Sequence, residues 1–575
     1  MTKGYLNFVL HGHLPWVLEA GTWPHGEVWL HEAAAETYTP TLSMLSDLSE
    51  KEGFTNMLTV GLTPVLSEQL AHPRFKAGFV QYLDERIDAS YKDKDHFNWI
   101  GETDFGHLAE RWANFYSSIK QQFIERFNKD LLNGYKTLQD KGVIEIITSG
   151  LTHGYLPLLG KEETVNAQIK AGQSIYKYRF GGNDSQGMWL PELAYRPGYK
   201  WKNPVTGEEI DRKGVDYYLQ KNNIKYFIVD TPLLKGGKGI GAYLDRFDAL
   251  KLLWNQFEKE KPIIEGHDLT PYRPYKVKDS KDYDEEVTFF TRDSKTGVLV
   301  WSGDIGFPGD ECYLEFHKKH FPSGNRYWRL TGKDVDLGEK EIYNDLKTIE
   351  RLDENSKHFF KIVKETLLEN YKKNSEPGIV LSPYDFELLG HWWFEGIGFL
   401  ERVIKHVKND PEIETTTSKK YLEMHPPDKK TYVSLPEGSW GEGNFHWIWL
   451  NDNTTWCWKY IYEIENLYLK AIEEFKKTNY KDFGIAKRLI NQLGRELFLL
   501  SSSDWEFLIS TWAARDYAEL RVTTHYENFK KLLKLFKKCN TESLKDTEYK
   551  LLEKIEKEDS IAWEQDVYKW FELPK

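Results

Sequence analysis

Seven short apolar runs, each ending in polar or aromatic residues, limit what this chain can become more than any other feature of it. Residues 5–10 lead into His11-Gly12-His13-Leu14-Pro15-Trp16, residues 55–62 into Thr63-Pro64 with Glu68 in the helix expected next, and residues 143–148 into Gly150-Leu151-Thr152-His153-Gly154-Tyr155. The fourth run, Gly187-Met188-Trp189-Leu190, carries Pro191-Glu192 at its end. Residues 226–229 end in Asp230, residues 297–300 in Trp301-Ser302-Gly303-Asp304, and residues 378–381 in Ser382-Pro383-Tyr384-Asp385. Runs of this length read as buried strands. Between several of them lie helical patterns, at 32–48, 110–141 and 340–373. Alternating strands and helices imply a parallel sheet, and a closed barrel of such units places its active site at the carboxyl ends of the strands, where the polar residues fall. A doubly wound open sheet is the alternative, but it concentrates function at one switch point.

At 575 residues the chain exceeds what one hydrophobic core usually sustains. We expect an α/β catalytic barrel over residues 1–400, with insertions at about 199–225 and 231–286, and an α-helical region over 401–575 that completes the cleft. The first insertion holds Asn203-Pro204-Val205-Thr206-Gly207-Glu208, a hairpin turn signal. The second opens with Lys235-Gly236-Gly237-Lys238-Gly239-Ile240-Gly241, which lacks the closing Lys-Ser/Thr of a phosphate loop and reads instead as a mobile active-site loop. Later come the aromatic stretches Leu435-Pro436-Glu437-Gly438-Ser439-Trp440-Gly441 and Phe445-His446-Trp447-Ile448-Trp449. Amphipathic patterns at 460–476, 485–500, 517–538 and 541–557 then suggest a helical bundle packed on the barrel. Ser501-Ser502-Ser503-Asp504-Trp505 interrupts it, either as a cap and turn or as a device aiming Asp504 and Trp505 at the site.

The formal charge of −12, from 77 basic and 89 acidic residues, argues against a nucleic-acid backbone or an anionic membrane as the main partner. The three cysteines, Cys312, Cys457 and Cys539, are too scattered for a disulfide framework or a zinc cluster, and a reducing cytoplasm is the simplest setting. No window approaches the roughly 18 apolar residues that span a bilayer. The 21 Trp, 33 Tyr and 31 Phe are unusual in lying beside Gly, Pro, His or Asp, where they either fill a large core or stack on sugar rings.

Trp189, Leu190 and Pro191 would keep water from Glu192, and desolvation among aromatic neighbours gives a carboxyl catalytic character. His11 and His13, two apart on a strand, face one side, either as metal ligands or as hydrogen-bond donors to a ligand. Two carboxylates at strand ends flanked by Trp, Tyr and His are what acetal cleavage at a sugar requires: one acid protonates the departing oxygen and the other attacks or supports the cationic carbon. Glu192 and Asp385, on the fourth and seventh runs, would face each other across a barrel mouth.

Together these segments resemble glycoside hydrolase family 57. His11-Gly12-His13-Leu14-Pro15 looks like its first motif, residues 150–153 like its second, Trp189-Leu190-Pro191-Glu192 like its third, Tyr384-Asp385 with Leu389-Gly390-His391-Trp392-Trp393 like its fourth, and the region of Asp504-Trp505 like its fifth. The resemblance implies an incomplete (β/α)7 barrel with an α-helical C-terminal domain, a retaining mechanism on α-glucans, and neither metal nor other cofactor. Glu192 would be the nucleophile and Asp385 the general acid/base. His11, His13 and His153 would line the sugar subsite, and Trp301, Trp440, Trp449 and Asp504 would shape the clefts, with Trp189, Asp230, His391 and Trp392 as further substrate contacts. Residues 434–441 and 306–310 look most like the 1,4-α-glucan branching enzymes and the α-amylases nearest them. In branching members a loop after the fifth strand carries a tyrosine that covers the site; here that loop is longer and differently composed, and Tyr243 corresponds. Branching is the leading expectation and an α-amylase its sibling. A metal-dependent carbohydrate deacetylase and a catalytically silent glucan-binding protein are the alternatives from other classes.

Overall fold

The computed structural model describes residues 1–236, 248–257, 266–278, 286–303, 305–428 and 431–574, so Tyr243 and Asp304 lie outside the described residues. Strands β1 (Gly4–Gly12), β2 (Leu58–Leu62), β3 (Ile144–Ile147) and β4 (Gly187–Met188) precede a hairpin of β5 (Tyr199–Lys202) and β6 (Glu209–Arg212). There follow β7 (Tyr226–Val229), β8 (Tyr275–Val277), β9 (Thr288–Thr291), β10 (Gly378–Asp385), β11 (Ile413–Thr415) and β12 (Tyr432–Val433). β10, β1, β2 and β3 pair in that order, all parallel, and β4, β7 and β9 form a second parallel run. A parallel bridge between Thr148 and Met188 joins the two runs. Between β9 and β10 no ladder closes the circle among the described residues, and the amide of Asp293 donates to the carbonyl of Leu381 at 2.9 Å across the seam. The incomplete (β/α)7 barrel implied by the resemblance is the one that forms.

The period of two along β1 decides which residues reach the site. Leu6, Phe8 and Leu10 face outward into the main core, where Phe8 stacks on Phe359 of helix Asp345–Asn374 at 5.7 Å. Tyr5 and Val9 belong to the core inside the barrel, and the same face carries Asn7 and then His11. Burial on both faces explains why the strands read as nearly continuous apolar runs.

Residues 297–300, expected as the sixth strand, are instead helical, within Ser294–Trp301. Asp293 caps that helix by accepting from the amide of Thr296 at 2.8 Å, and the sixth barrel strand is the preceding β9. A four-residue apolar run does not distinguish strand from helix, and the capping residue just upstream decides the matter. The hairpin expected from residues 203–208 forms, with Gly207 at a φ of 71° in its turn. Late in the chain come helices Thr455–Lys477, Phe483–Leu500, Ser503–Thr511, Arg515–Cys539 and Asp546–Glu558. Among the described residues no helix is long and apolar enough to cross a membrane.

Candidate active site

Glu192 stands just beyond β4 in a one-turn helix, Pro191–Leu193, at a φ of 59°, a left-handed conformation uncommon for a glutamate. The surrounding backbone holds it there. Its carbonyl accepts from the amide of Trp440 at 3.0 Å, and Tyr195 and Gly438 exchange two amide hydrogen bonds close by, at 2.8 and 3.0 Å. The loop carrying Trp440 is thereby stitched along the segment carrying Glu192, and the indole Nε1 of Trp440 donates to Glu192 Oε2 at 2.8 Å. The other oxygen, Oε1, accepts from the Ser503 hydroxyl at 3.4 Å and lies 3.8 Å from His153 Nδ1. Burial pushes the Glu192 carboxyl up to about 8; the Trp440 hydrogen bond opposes this, and the charges of Asp385 and Asp504 add to it. The influence of Asp385 places the second candidate acid within electrostatic reach. It ends β10 in register with His11, half-buried, on the opposite part of the barrel from β4.

The histidines form one connected group. His11 stacks on Trp189 with ring centroids 4.3 Å apart and planes 7° apart, and its Nε2 lies 3.0 Å from Nε2 of His153. Burial, with His13 beside them, holds both His11 and His153 well below the usual imidazole range, so both are neutral. Of two nitrogens facing each other, one must carry the proton. If His11 Nε2 donates to His153, then His153 Nδ1 is free to donate to Ser503 Oγ at 3.0 Å, and the Ser503 hydroxyl to donate to Glu192. An ionised Glu192 selects this direction, giving a chain of donors that ends on its Oε1. His13 makes a separate pair, its Nε2 2.8 Å from Asp504 Oδ2. Burial works against the charge on Asp504, but His13 holds its carboxyl below the usual range, helped by His153 and the Ser502 hydroxyl.

His13, His153 and Asp504 are also one of two groups among the described residues whose possible ligand atoms come within 4.8 Å of one another, the other being Glu496, His525 and Asp559. As placed, they satisfy each other: His13 is bonded to Asp504, and both nitrogens of His153 are engaged by His11 and Ser503. A metal would have to displace these bonds to be ligated.

The remaining expected residues divide. Trp440 is edge-on to Trp189 at 5.1 Å and to Trp301 at 5.7 Å, so three tryptophans wall the acid. Trp301 reaches this wall from the end of its helix, not from a strand. Asp230 caps helix Thr231–Lys235 and accepts from the amide nitrogen of Asn444 at 3.1 Å, bracing the loop of Trp440. Trp449 is 1 % exposed and stacks on Tyr155 at 4.5 Å, behind the wall. His391 is drawn to Glu36 at 2.7 Å beside Arg326, and the half-exposed Trp392 stacks on Phe316 at 4.5 Å, forming a group apart from the tryptophan wall.

Sequence reasoning did not assign Ser503, although it saw the serine run, and it missed two buried supports. Glu387 accepts from the backbone amide of His13 at 3.1 Å and from Tyr38, and burial pushes its carboxyl up to about 7. The Tyr155 hydroxyl meets His446 Nδ1 at 2.8 Å, His446 Nε2 meets Glu437 at 2.8 Å, and the Tyr199 hydroxyl donates to Glu437 at 2.6 Å. Glu387 was visible two residues beyond Asp385; the Tyr155 chain has no signal in sequence spacing.

A family model described as glycosyl hydrolase family 57 matches residues 7–434. The chain belongs to glycosyl hydrolase family 57. A second model, described as 1,4-alpha-glucan branching enzyme, C-terminal, matches residues 460–570. Within family 57 the chain is 37% identical over 558 residues to a 1,4-alpha-glucan branching enzyme of Thermococcus kodakarensis, covering 97% of this chain and 77% of that protein. It is similar to the crystal structure of a GH57-type branching enzyme from the hyperthermophilic archaeon Pyrococcus horikoshii, with a TM-score of 0.86, 34% identity, and coverage of 100% of this chain and 98% of that one. It is also similar to the crystal structure of the α-amylase AmyC from Thermotoga maritima, with a TM-score of 0.79, 26% identity and all of both chains covered. The two matched segments meet where Ser503, in the second, donates to Glu192, in the first.

Proposed function

We propose that this protein is a 1,4-α-glucan branching enzyme, which cleaves an α-1,4 linkage and passes the released chain to a 6-hydroxyl. Glu192 attacks the anomeric carbon while Asp385 protonates the departing 4-oxygen, leaving a glycosyl ester on Glu192. Asp385 then takes the proton of an acceptor 6-hydroxyl as that oxygen attacks the same carbon, breaking the ester and freeing the Glu192 carboxylate. Two inversions give net retention. Residues 1–400 form the catalytic part in this reading, and residues 401–575 complete the cleft by contributing Trp440, Ser503 and Asp504.

The observation that carries this reading is the donor on each oxygen of Glu192, one of them Ser503 in the segment that matches the branching-enzyme C-terminal model. Burial alone would suit a proton donor, because it favours the neutral acid. Two donors and, among the described residues, no acceptor against the carboxyl suit a carboxylate held for attack. The tryptophan wall limits access of water to the ester, which favours transfer over hydrolysis.

Azide rescue tests the roles. Glu192→Gly with azide should give the β-glycosyl azide, since azide enters where the nucleophile stood, and Asp385→Gly should give the α-glycosyl azide through an intact ester. The reverse pattern would exchange the two assignments. The α-amylase of Thermotoga maritima supplies the second reading, in which water intercepts the same ester. Proton NMR of treated amylose separates the two: new α-1,6 anomeric signals with few new reducing ends support branching, and reducing ends without α-1,6 signals support the amylase.

A further inference from the structure

The barrel has a second concavity, at the end away from its acids. A cleft of about 630 Å³ opens at the amino ends of four consecutive barrel strands, β2, β3, β4 and β7, and is walled on its far side by helix Ser418–Met424 and the turn before it. Asn56, Ile144, Gln186 and Lys225 mark the four strand beginnings in its lining. Glu192, by contrast, lies beyond the carboxyl end of β4, and Asp385 is the last residue of β10.

The wall has already matched most of its charges. Asp140 is paired with Lys136, Asp184 with Lys177 at 2.6 Å, and Glu423 lies 3.6 Å from Lys420. Glu145, 7 % exposed, accepts from the Tyr226 hydroxyl at 2.6 Å, the Lys419 amide at 2.9 Å and the Thr59 hydroxyl at 3.4 Å. Such a cleft demands neither an anion nor a cation. Apart from the exposed Lys419 ammonium, what it leaves unused is neutral. Among the described residues, the side-chain amides of Asn56, Asn183 and Gln186 bond to no other protein group. A carboxamide offers a donor and an acceptor side by side, the complement of neighbouring hydroxyls that are each both. Tyr176 adds an aromatic ring to the lining.

We infer that this cleft binds a neutral polyhydroxylated ligand, a short stretch of α-1,4-glucan, at a site separate from the reaction. The identity of the sugar rests on the branching reading; the amide-rich, charge-compensated cleft does not. A chain held there raises the local concentration of the same polymer around the enzyme, an effect confined to substrates long or branched enough to be engaged twice.

The test uses the full-length chain. Titration calorimetry of Glu192→Gln with maltotetraose should resolve two binding events, and Asn56→Ala/Gln186→Ala on that background should remove one. In the otherwise unsubstituted protein the same pair should raise KM for amylose several-fold while kcat and all constants on maltohexaose stay as they were. Gln186→Trp, which fills the cleft without deleting a wall residue's fold contacts, should reproduce the effect, with thermal melts confirming that both variants are folded. A single binding event that survives all three substitutions overturns the inference. Two events with inorganic phosphate displacing the weaker one would assign the cleft to an anion and overturn it too. No maltotetraose binding, with no action of the unsubstituted protein on amylose, would instead bring down the branching reading and the sugar with it.

Discussion

The indole of Trp440 and the carboxyl of Glu192, 248 residues apart in the chain, are joined twice: Nε1 to Oε2 at 2.8 Å, and amide to carbonyl at 3.0 Å. The side-chain bond stabilises the charged form of the acid and the main-chain bond keeps it in its left-handed turn. Trp440→Phe keeps the ring and removes only the first. We expect kcat/KM to fall about 10²-fold, the usual loss when a donor to a catalytic oxygen is removed, and the acidic limb of the pH profile to move upward, since this bond lowers the Glu192 pKa.

Asp504→Asn should move that limb the other way. Asp504 is one of the charges that raise Glu192, so neutralising it lowers the pH at which Glu192 ionises. His13 loses its 2.8 Å ion-pair partner in the same step, and kcat falls. Profiles of kcat/KM measured side by side for Trp440→Phe and Asp504→Asn that shift in the same direction would refute this electrostatic account.

Glu192 also predicts a pH-dependent stability. Its folded pKa, about 8, lies above the 4.5 of an ordinary glutamate, so between these values the folded chain binds more protons than the unfolded one. Stability from this group is full below about 4.5 and declines as pH rises to 8. Glu192→Gln should therefore melt close to the unsubstituted protein at pH 5 and above it at pH 8.5, as read by differential scanning calorimetry.

Ser503→Ala cuts the donor chain between His153 and Glu192 without touching either. A drop in kcat of about tenfold, with KM for glucan little changed, is expected of a group that orients the proposed nucleophile. Ser503→Thr should recover most of the loss, because it restores the hydroxyl.

His446→Ala should act on stability first. It leaves Glu437 in a largely enclosed place without the imidazole that, against the effect of burial, keeps its carboxyl below the usual range. Removing one member of a buried pair costs about 3–5 kcal/mol, visible as a lower denaturation midpoint.

Much of this was readable in the sequence. The period of two along residues 5–13 puts His11 and His13 on one face, and their rings do lie 5.9 Å apart with planes 19° apart. The apolar run before Glu192 announced its burial. Less was readable where short-range pattern is ambiguous: the run at 297–300 suits strand and helix alike, and only Asp293 just before it marks a helix start. Asp230 sits at a strand end as expected, yet its oxygens cap a helix and hold Asn444. Pairings such as His13 with Asp504, 491 residues apart, come from how the helical region docks on the barrel, which no local spacing encodes.

That docking ties competence to synthesis. His13 is synthesised 491 residues before Asp504, so a nascent chain carries Glu192 and Asp385 before the serine and aspartate that bond to Glu192 and His13. Until the helix Ser503–Thr511 has emerged and seated, the growing chain holds these residues without their arrangement.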